Sequence, residues 1–204
     1  MDLTYFYDEL NSSLIYKEDF LFKSKFELLV KLILSSRASG FSANKIGDRV
    51  VDNFPNLSSL SKAHESDLQN LIHDIGFFKQ KTQRLISASK FICKNYNSNI
   101  PEDYSSLIKI PGMGDKSSKK FLTLIKKNNF IMVDTHMTRV LNRIGFINQN
   151  QNNKLIEYII SNNIPKKNHT NFSNLFNFFG KSICKAKKPK CHLCSFKNFC
   201  NFIN

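Results

Sequence analysis

Four cysteines near the end of this chain follow the spacing Cys184-x6-Cys191-x2-Cys194-x5-Cys200. Thiols so close along the chain converge on one point when the segment folds, so residues 184–200 must form a loop closed either by disulfides or by a metal. No secretory leader is expected, because the first ten residues carry Asp2, Asp8 and Glu9 and no basic stretch. The apolar run 26–34 is interrupted by Lys31, so no membrane span is expected either. The chain therefore reads as a cytoplasmic protein, where thiols stay reduced and clustered cysteines favour metal. Four soft thiolates suit either tetrahedral zinc or a cubane iron–sulfur cluster. Zinc ribbons favour two CxxC pairs, and only the Cys191–Cys194 pair occurs here, which leans towards iron and sulfide. The fifth cysteine, Cys93, falls on an apolar helical stripe and reads as core.

Charge is the second constraint. Thirty Lys and Arg against sixteen Asp and Glu leave +14, which calls for a polyanionic partner, nucleic acid above all. The placement matters more than the sum. No acidic residue follows Glu157, whereas Lys166, Lys167, Lys181, Lys185, Lys187, Lys188, Lys190 and Lys197 all do.

Apolar spacing is helical almost throughout. Ser24 caps a stripe of Phe26, Leu29, Val30 and Ile33. Ile46, Val50 and Val51 mark a helix stopped by Pro55. Ser66 is expected to cap Leu68, Leu71, Ile72 and Ile75, with Gly76 as the terminating residue. Further helices are expected at Leu85–Cys93, Thr135–Ile144, Leu155–Ile160 and Thr170–Phe179, with 149–153 as a polar loop. No period-2 strand, internal repeat or Gly/Ser linker occurs, so the fold class is all-α.

The interior segment LIKIPGMGDKSSKKFL, residues 107–122, places a helix end before Pro111, turns through Gly112 and Gly114, and restarts with Asp115 as a cap. Glycines admit close backbone approach, and unpaired amides at a helix start suit a phosphate. Lys119 and Lys120, one turn on, are expected to add charge. This is the pattern of a helix-hairpin-helix DNA clamp. Lys116 falls in the first turn of the second helix. The helix dipole disfavours a cation there and so favours the neutral amine a Schiff base requires; a phosphate-contacting lysine is the other reading. Downstream, Asp134 precedes Thr135 and His136, with Arg139 and Arg143 beyond. It can cap the helix, stabilise positive charge on a sugar, or do both.

In order, LIKIPGMGDKSSKKFL, VDTHMTRVLNRIGF and the cysteine spacing resemble the endonuclease III family of DNA glycosylases. The likeness also runs through FELLVKLILSSRASGFSANK and HDIGFFKQKTQRLI and so covers most of the chain. It implies a two-lobed helix-hairpin-helix glycosylase fold with one C-terminal [4Fe–4S] cluster on Cys184, Cys191, Cys194 and Cys200. One lobe would span about residues 20–129, with the hairpin at about 104–123; residues 1–19 and 130–204 would form the other. Lys116 looks like the family's nucleophile and Asp134 like its catalytic carboxylate. The implied activity is base-excision repair: removal of oxidised pyrimidines from duplex DNA, then β-elimination 3′ to the abasic site, by a monomer acting at the nucleoid. A monofunctional, adenine-type glycosylase and a DNA-binding module with a structural metal are the alternatives. The chain departs from the family at Arg37, where Gln is usual, at Gly40, often acidic, and at Phe77, where a Leu wedge is usual. Arg37 and Phe77 are expected to fill the stack that a flipped nucleotide leaves. Gly112, Gly114, Lys119, Lys120, His136, Arg139, Lys185, Lys187, Lys188 and Lys190 complete the expected DNA contacts.

Overall fold

Apolar positions three and four apart make helices that bury one side, and helices that are apolar nearly all round lie in the middle. The computed structural model describes residues 2–16, 20–36, 40–148 and 150–203, the side chains of Gly40 and Phe41 excepted. Among them run α1 (Leu3–Ser13), α2 (Lys25–Leu34), α3 (Gly40–Asn53), α4 (Leu57–Ser61), α5 (Glu65–Ile72), α6 (Phe78–Tyr96), α7 (Tyr104–Leu107), α8 (Asp115–Lys126), α9 (Thr135–Arg143), α10 (Asn153–Asn163) and α11 (His169–Ser182). The described residues contain no strand, and the fold is all-α. None of these helices is long and apolar enough to cross a membrane.

The chain divides into two compact units, one of Glu18–Lys126 and one of Met1–Lys17 with Lys127–Asn204. In the first, α2 is the central element, with every residue from Glu27 to Leu34 buried. Ser24 caps it by accepting from the Glu27 amide at 3.1 Å, and α3, α6 and α8 pack around it. Its one buried lysine, Lys31, is 1% exposed. Its ammonium meets Glu27 Oε1 at 2.5 Å, Asp48 Oδ1 at 2.7 Å and the Leu21 carbonyl at 2.5 Å. The lysine stem needs Gly47, since a Cβ there would lie 2.5 Å from Lys31 Cγ.

Three local features differ from expectation. α5 begins at Glu65 with His64 in the cap position, so Ser66 lies inside the helix. The short α4 was not foreseen from apolar spacing; Asn56 and Ser59 close it with a reciprocal capping box. The left-handed residue after α5 is Phe77, at φ 61°, rather than Gly76.

The second unit packs Leu3, Phe6, Tyr7 and Leu10 of α1 against Met137, Val140 and Leu141 of α9 and Phe172, Phe176 and Phe179 of α11. The Phe172 and Phe176 rings stack at 4.2 Å. Phe196, from between Cys194 and Cys200, reaches Phe6 at 4.6 Å between ring centroids and so ties the cysteine segment to the N-terminal helix.

Candidate active site and metal centre

The hairpin lies wholly within the first unit. Met113 N–H donates to the Ile110 carbonyl at 2.9 Å, closing the turn. Gly112 has φ +86°, and a Cβ on it would lie 3.2 Å from Arg84 Cβ and 3.3 Å from Ile33. Both conformation and space therefore demand glycine. Gly114 differs: its φ is not left-handed, and nothing lies within 4 Å of where its Cβ would be. The space beside Gly114 is open for a partner. At the start of α8, Ser118 N–H donates to the Gly114 carbonyl at 2.9 Å. Asp115 sits inside the first turn, not before it. It accepts from Tyr104 Oη at 2.6 Å, and its Oδ1 lies 3.1 Å from Lys119 Nζ.

Lys116 is exposed in that first turn. Lys119 and Lys120, expected as surface charge, are only 8% and 7% exposed. The turn of helix beyond Lys116 faces inward, and Lys119 is drawn to Asp115. Phe77 is half exposed and left-handed at the entrance to α6, a conformation that costs a bulky L-residue about 1 kcal/mol or more. Arg37 lies outside the described residues. Arg84 was missed by sequence reasoning; it is exposed and its Cβ borders Gly112, a contact that spans 28 residues and leaves no local signal.

Asp134 belongs to the second unit. Its Oδ1 accepts the amides of His136 and Met137, both at 2.9 Å, which caps α9. Its Oδ2 accepts from Asn177 Nδ2 of α11. α9 and α11 approach closely at Gly180, where a Cβ would lie 3.0 Å from the His136 carbonyl oxygen. His136 and Arg139, expected at the DNA, face this helix contact. Arg139 Nη2 lies 3.3 Å from His136 Nδ1 and donates to the Gly180 carbonyl at 2.6 Å, while its Nε donates to the Cys184 carbonyl at 3.0 Å. A guanidinium has its donors in a fixed fork, and here both sides of that fork hold backbone of this same unit.

The four clustered cysteines are free thiols and line one cavity with Arg143, Ile183 and Pro189. Burial pushes the Cys194 thiol up, against a lowering from the Phe196 amide, and Cys184, Cys200 and Cys191 push it further. Four thiolates so grouped require a cationic centre between them. Among the described residues no three His, Cys, Asp or Glu side chains are placed to hold a single metal ion. Four soft sulfurs around a shared cavity fit an iron–sulfur cluster. Arg143 was named by sequence but given no role. It donates to Cys184 Sγ at 3.4 Å, to the Lys185 carbonyl at 2.8 Å and to the Ala186 carbonyl at 3.3 Å, and lies 3.9 Å from the Phe202 ring centroid. The Ile183 carbonyl accepts from Lys185 and Lys190, both at 2.9 Å. With its backbone so closed, the loop exposes Lys185, Lys187, Lys188 and Lys190.

Residues 30–166 match the model of the HhH-GPD superfamily of base excision DNA repair proteins, and residues 184–200 match the iron–sulfur binding domain of endonuclease III. The chain is 31% identical to endonuclease III of Rickettsia felis over 92% of its own length and 88% of the relative's. It belongs to the endonuclease III family. It is likewise 34% identical to endonuclease III of Buchnera aphidicola from Acyrthosiphon pisum, over 91% of this chain and 88% of that one. Among solved structures, a trapped endonuclease III–DNA covalent intermediate superposes with a TM-score of 0.91 at 26% identity, covering 97% of this chain and 93% of that one. A non-covalent endonuclease III–DNA complex gives 0.90 at the same identity and coverage. As a member of the endonuclease III family the protein is a bifunctional base-excision repair enzyme, a DNA glycosylase and abasic-site lyase. Its cofactor is a [4Fe–4S] cluster.

Proposed function

We propose that this enzyme, acting as a monomer in the cytoplasm on nucleoid DNA, removes oxidised or ring-saturated pyrimidines from duplex DNA through Lys116 and Asp134. The observation that carries this reading is the exposed Lys116 in the first turn of α8, just beyond the left-handed turn at Gly112. DNA phosphate meets the N-terminus of α8 and the open space beside Gly114. The damaged nucleotide leaves the stack, and Phe77, with Arg37, takes its place. Cys184, Cys191, Cys194 and Cys200 hold the cluster, which supplies shape to the loop rather than bond-breaking chemistry. Lys185, Lys187, Lys188 and Lys190 on that loop contact backbone phosphate.

The amine of Lys116 forms a bond to the sugar C1′ as the C1′–N bond breaks, and the base departs with a proton. Asp134 stabilises the positive charge that develops on the sugar. Ring opening yields an iminium between Lys116 and C1′. Loss of a C2′ proton then expels the 3′ phosphate, and water hydrolyses the Schiff base to restore the lysine.

Borohydride reduces the iminium to a stable amine, so trapping tests the assignment. The protein with an abasic duplex gives one covalent adduct, and Lys116→Ala gives none. No adduct in the wild type, or one that survives in Lys116→Ala, overturns it. Base release without a nick would mark a monofunctional glycosylase instead.

A further inference from the structure

Asn177 stands in the middle of α11 beside Phe176, Phe178 and Phe179. A side-chain amide is a poor helix former and adds no apolar surface to such a stretch. Its position is explained by its partner, because Nδ2 donates to Asp134 Oδ2. A carboxylate that only capped α9 would have its first oxygen held, by the amides of His136 and Met137 at 2.9 Å. Here the second oxygen is held too, from a different helix. Two consequences follow. Donors on both oxygens fix the rotation of the carboxylate plane, and they favour the ionised form over the acid.

We infer that Asn177 is a positioning residue for the glycosylase step: it holds Asp134 ionised and in one orientation, so that the carboxylate acts as a fixed negative charge beside the sugar. This rests on the role given to Asp134 above. A fixed anion matters where positive charge develops during base departure. It matters less once the sugar is already an aldehyde, since Schiff-base formation at a preformed abasic site has no departing base. The two half-reactions should therefore respond unequally when Asn177 is changed. The charged or titratable groups of the elements packed here are Tyr5, Tyr7, Asp8 and Glu9 on α1, Lys127 in the entering segment, His136, Arg139 and Arg143 on α9, and His169 and Lys181 on α11. The acid limb is the one that concerns Asp134.

The test is single-turnover base release from a thymine-glycol duplex, measured from about pH 4 to about pH 8, alongside nicking of a preformed abasic duplex. Visible absorbance of each variant reports that the cluster is retained. Asn177→Leu is expected to slow base release about tenfold at neutral pH, to move the acid limb up by about one pH unit, and to change abasic-site nicking less than threefold. Asn177→Asp, which sets a second carboxylate against the first, is expected to move the limb further up, because the two then share a proton. Equal losses in both half-reactions, or an acid limb unmoved in both variants while Asp134→Asn abolishes base release, would overturn the inference alone. Wild-type base release by Asp134→Asn would overturn the role of Asp134 beneath it.

Discussion

The two units of this protein surround the cations they draw inward differently. In the Glu18–Lys126 unit two lysines are almost fully enclosed, Lys31 and Lys81, each 1% exposed. Lys31 has two carboxylates and a carbonyl around its ammonium. Among the described residues Lys81 Nζ has no hydrogen-bond partner; burial, with Arg84 nearby, pushes its pKa down to about 8. In the unit that carries the cysteines, Arg139 and Arg143 are half-buried, and backbone carbonyls answer both. A charge of +14 is therefore not one uniform DNA-facing surface. Part of it is drawn inward: Lys31 onto carboxylates in one unit, Arg139 and Arg143 onto backbone carbonyls in the other. The exposed part, which includes Lys116 and the lysines of the 185–190 loop, is what can meet phosphate.

The largest effect expected from breaking this contrast is at Lys31. Lys31→Met leaves Glu27 buried without its cation, and should lower stability by about 3 kcal/mol, read as a fall in the urea midpoint at constant slope. Gly47→Ala should act in the same direction through its overlap with the lysine stem, and by less. A variant at Lys31 as stable as the wild type would show that the pair is neutral and only fixes how α2 meets α3.

Next comes Arg143→Lys. An ammonium cannot reach two carbonyls and a sulfur in the geometry of the guanidinium fork, so about 1–2 kcal/mol of local stability should go. Iron content per chain should fall, and DNA binding should weaken with a shallower salt dependence as the lysine loop loses its backbone support. Full iron content with unchanged salt dependence would mean that the cysteines alone shape the loop.

The smallest effect has the opposite sign. Lys81→Met should stabilise the protein at neutral pH by about 1–2 kcal/mol, discounted from the full shift for relaxation and screening. The folded-state value near 8 lies below the ordinary 10.5, so between those values the unfolded chain holds the extra proton. Wild-type stability therefore rises with pH across that window relative to the variant, and the advantage of Met shrinks there. Thermal melts at neutral and alkaline pH check this. An advantage that does not change with pH would place the cost of Lys81 in packing rather than charge.

Much of the molecule was legible without coordinates, and the reasons are local. Ser24, Asp134 and the cysteine spacing act within a few residues of themselves, so a cap, a helix start and a metal loop can each be read along the chain. The turn at Gly112 was visible for the same cause, since its φ of +86° is a property of one residue. The misplaced features were those where neighbours decide. Asp115 stood as a cap until Tyr104 and Lys119 were seen to share it. Lys119 and Lys120 counted as surface charge because spacing does not tell which side of α8 faces in. Phe77, not Gly76, adopts the left-handed turn, since the packing of α5 and α6 sets the register there.

What the sequence by itself determined is therefore the kind of protein: an all-helical, basic chain with a hairpin, a lysine at a helix start, a capping aspartate and four clustered thiols. Those follow from periodicity, backbone preference and ligand spacing, which are short-range. Only the tertiary structure decided which cations are interior, that Arg143 braces the cluster loop 41 residues beyond it, and that Asn177 holds the second oxygen of Asp134 from 43 residues away. Hydrogen bonds and ion pairs act over a few ångströms of space and are blind to distance along the chain, so partners this far apart leave no mark on the spacing of either residue.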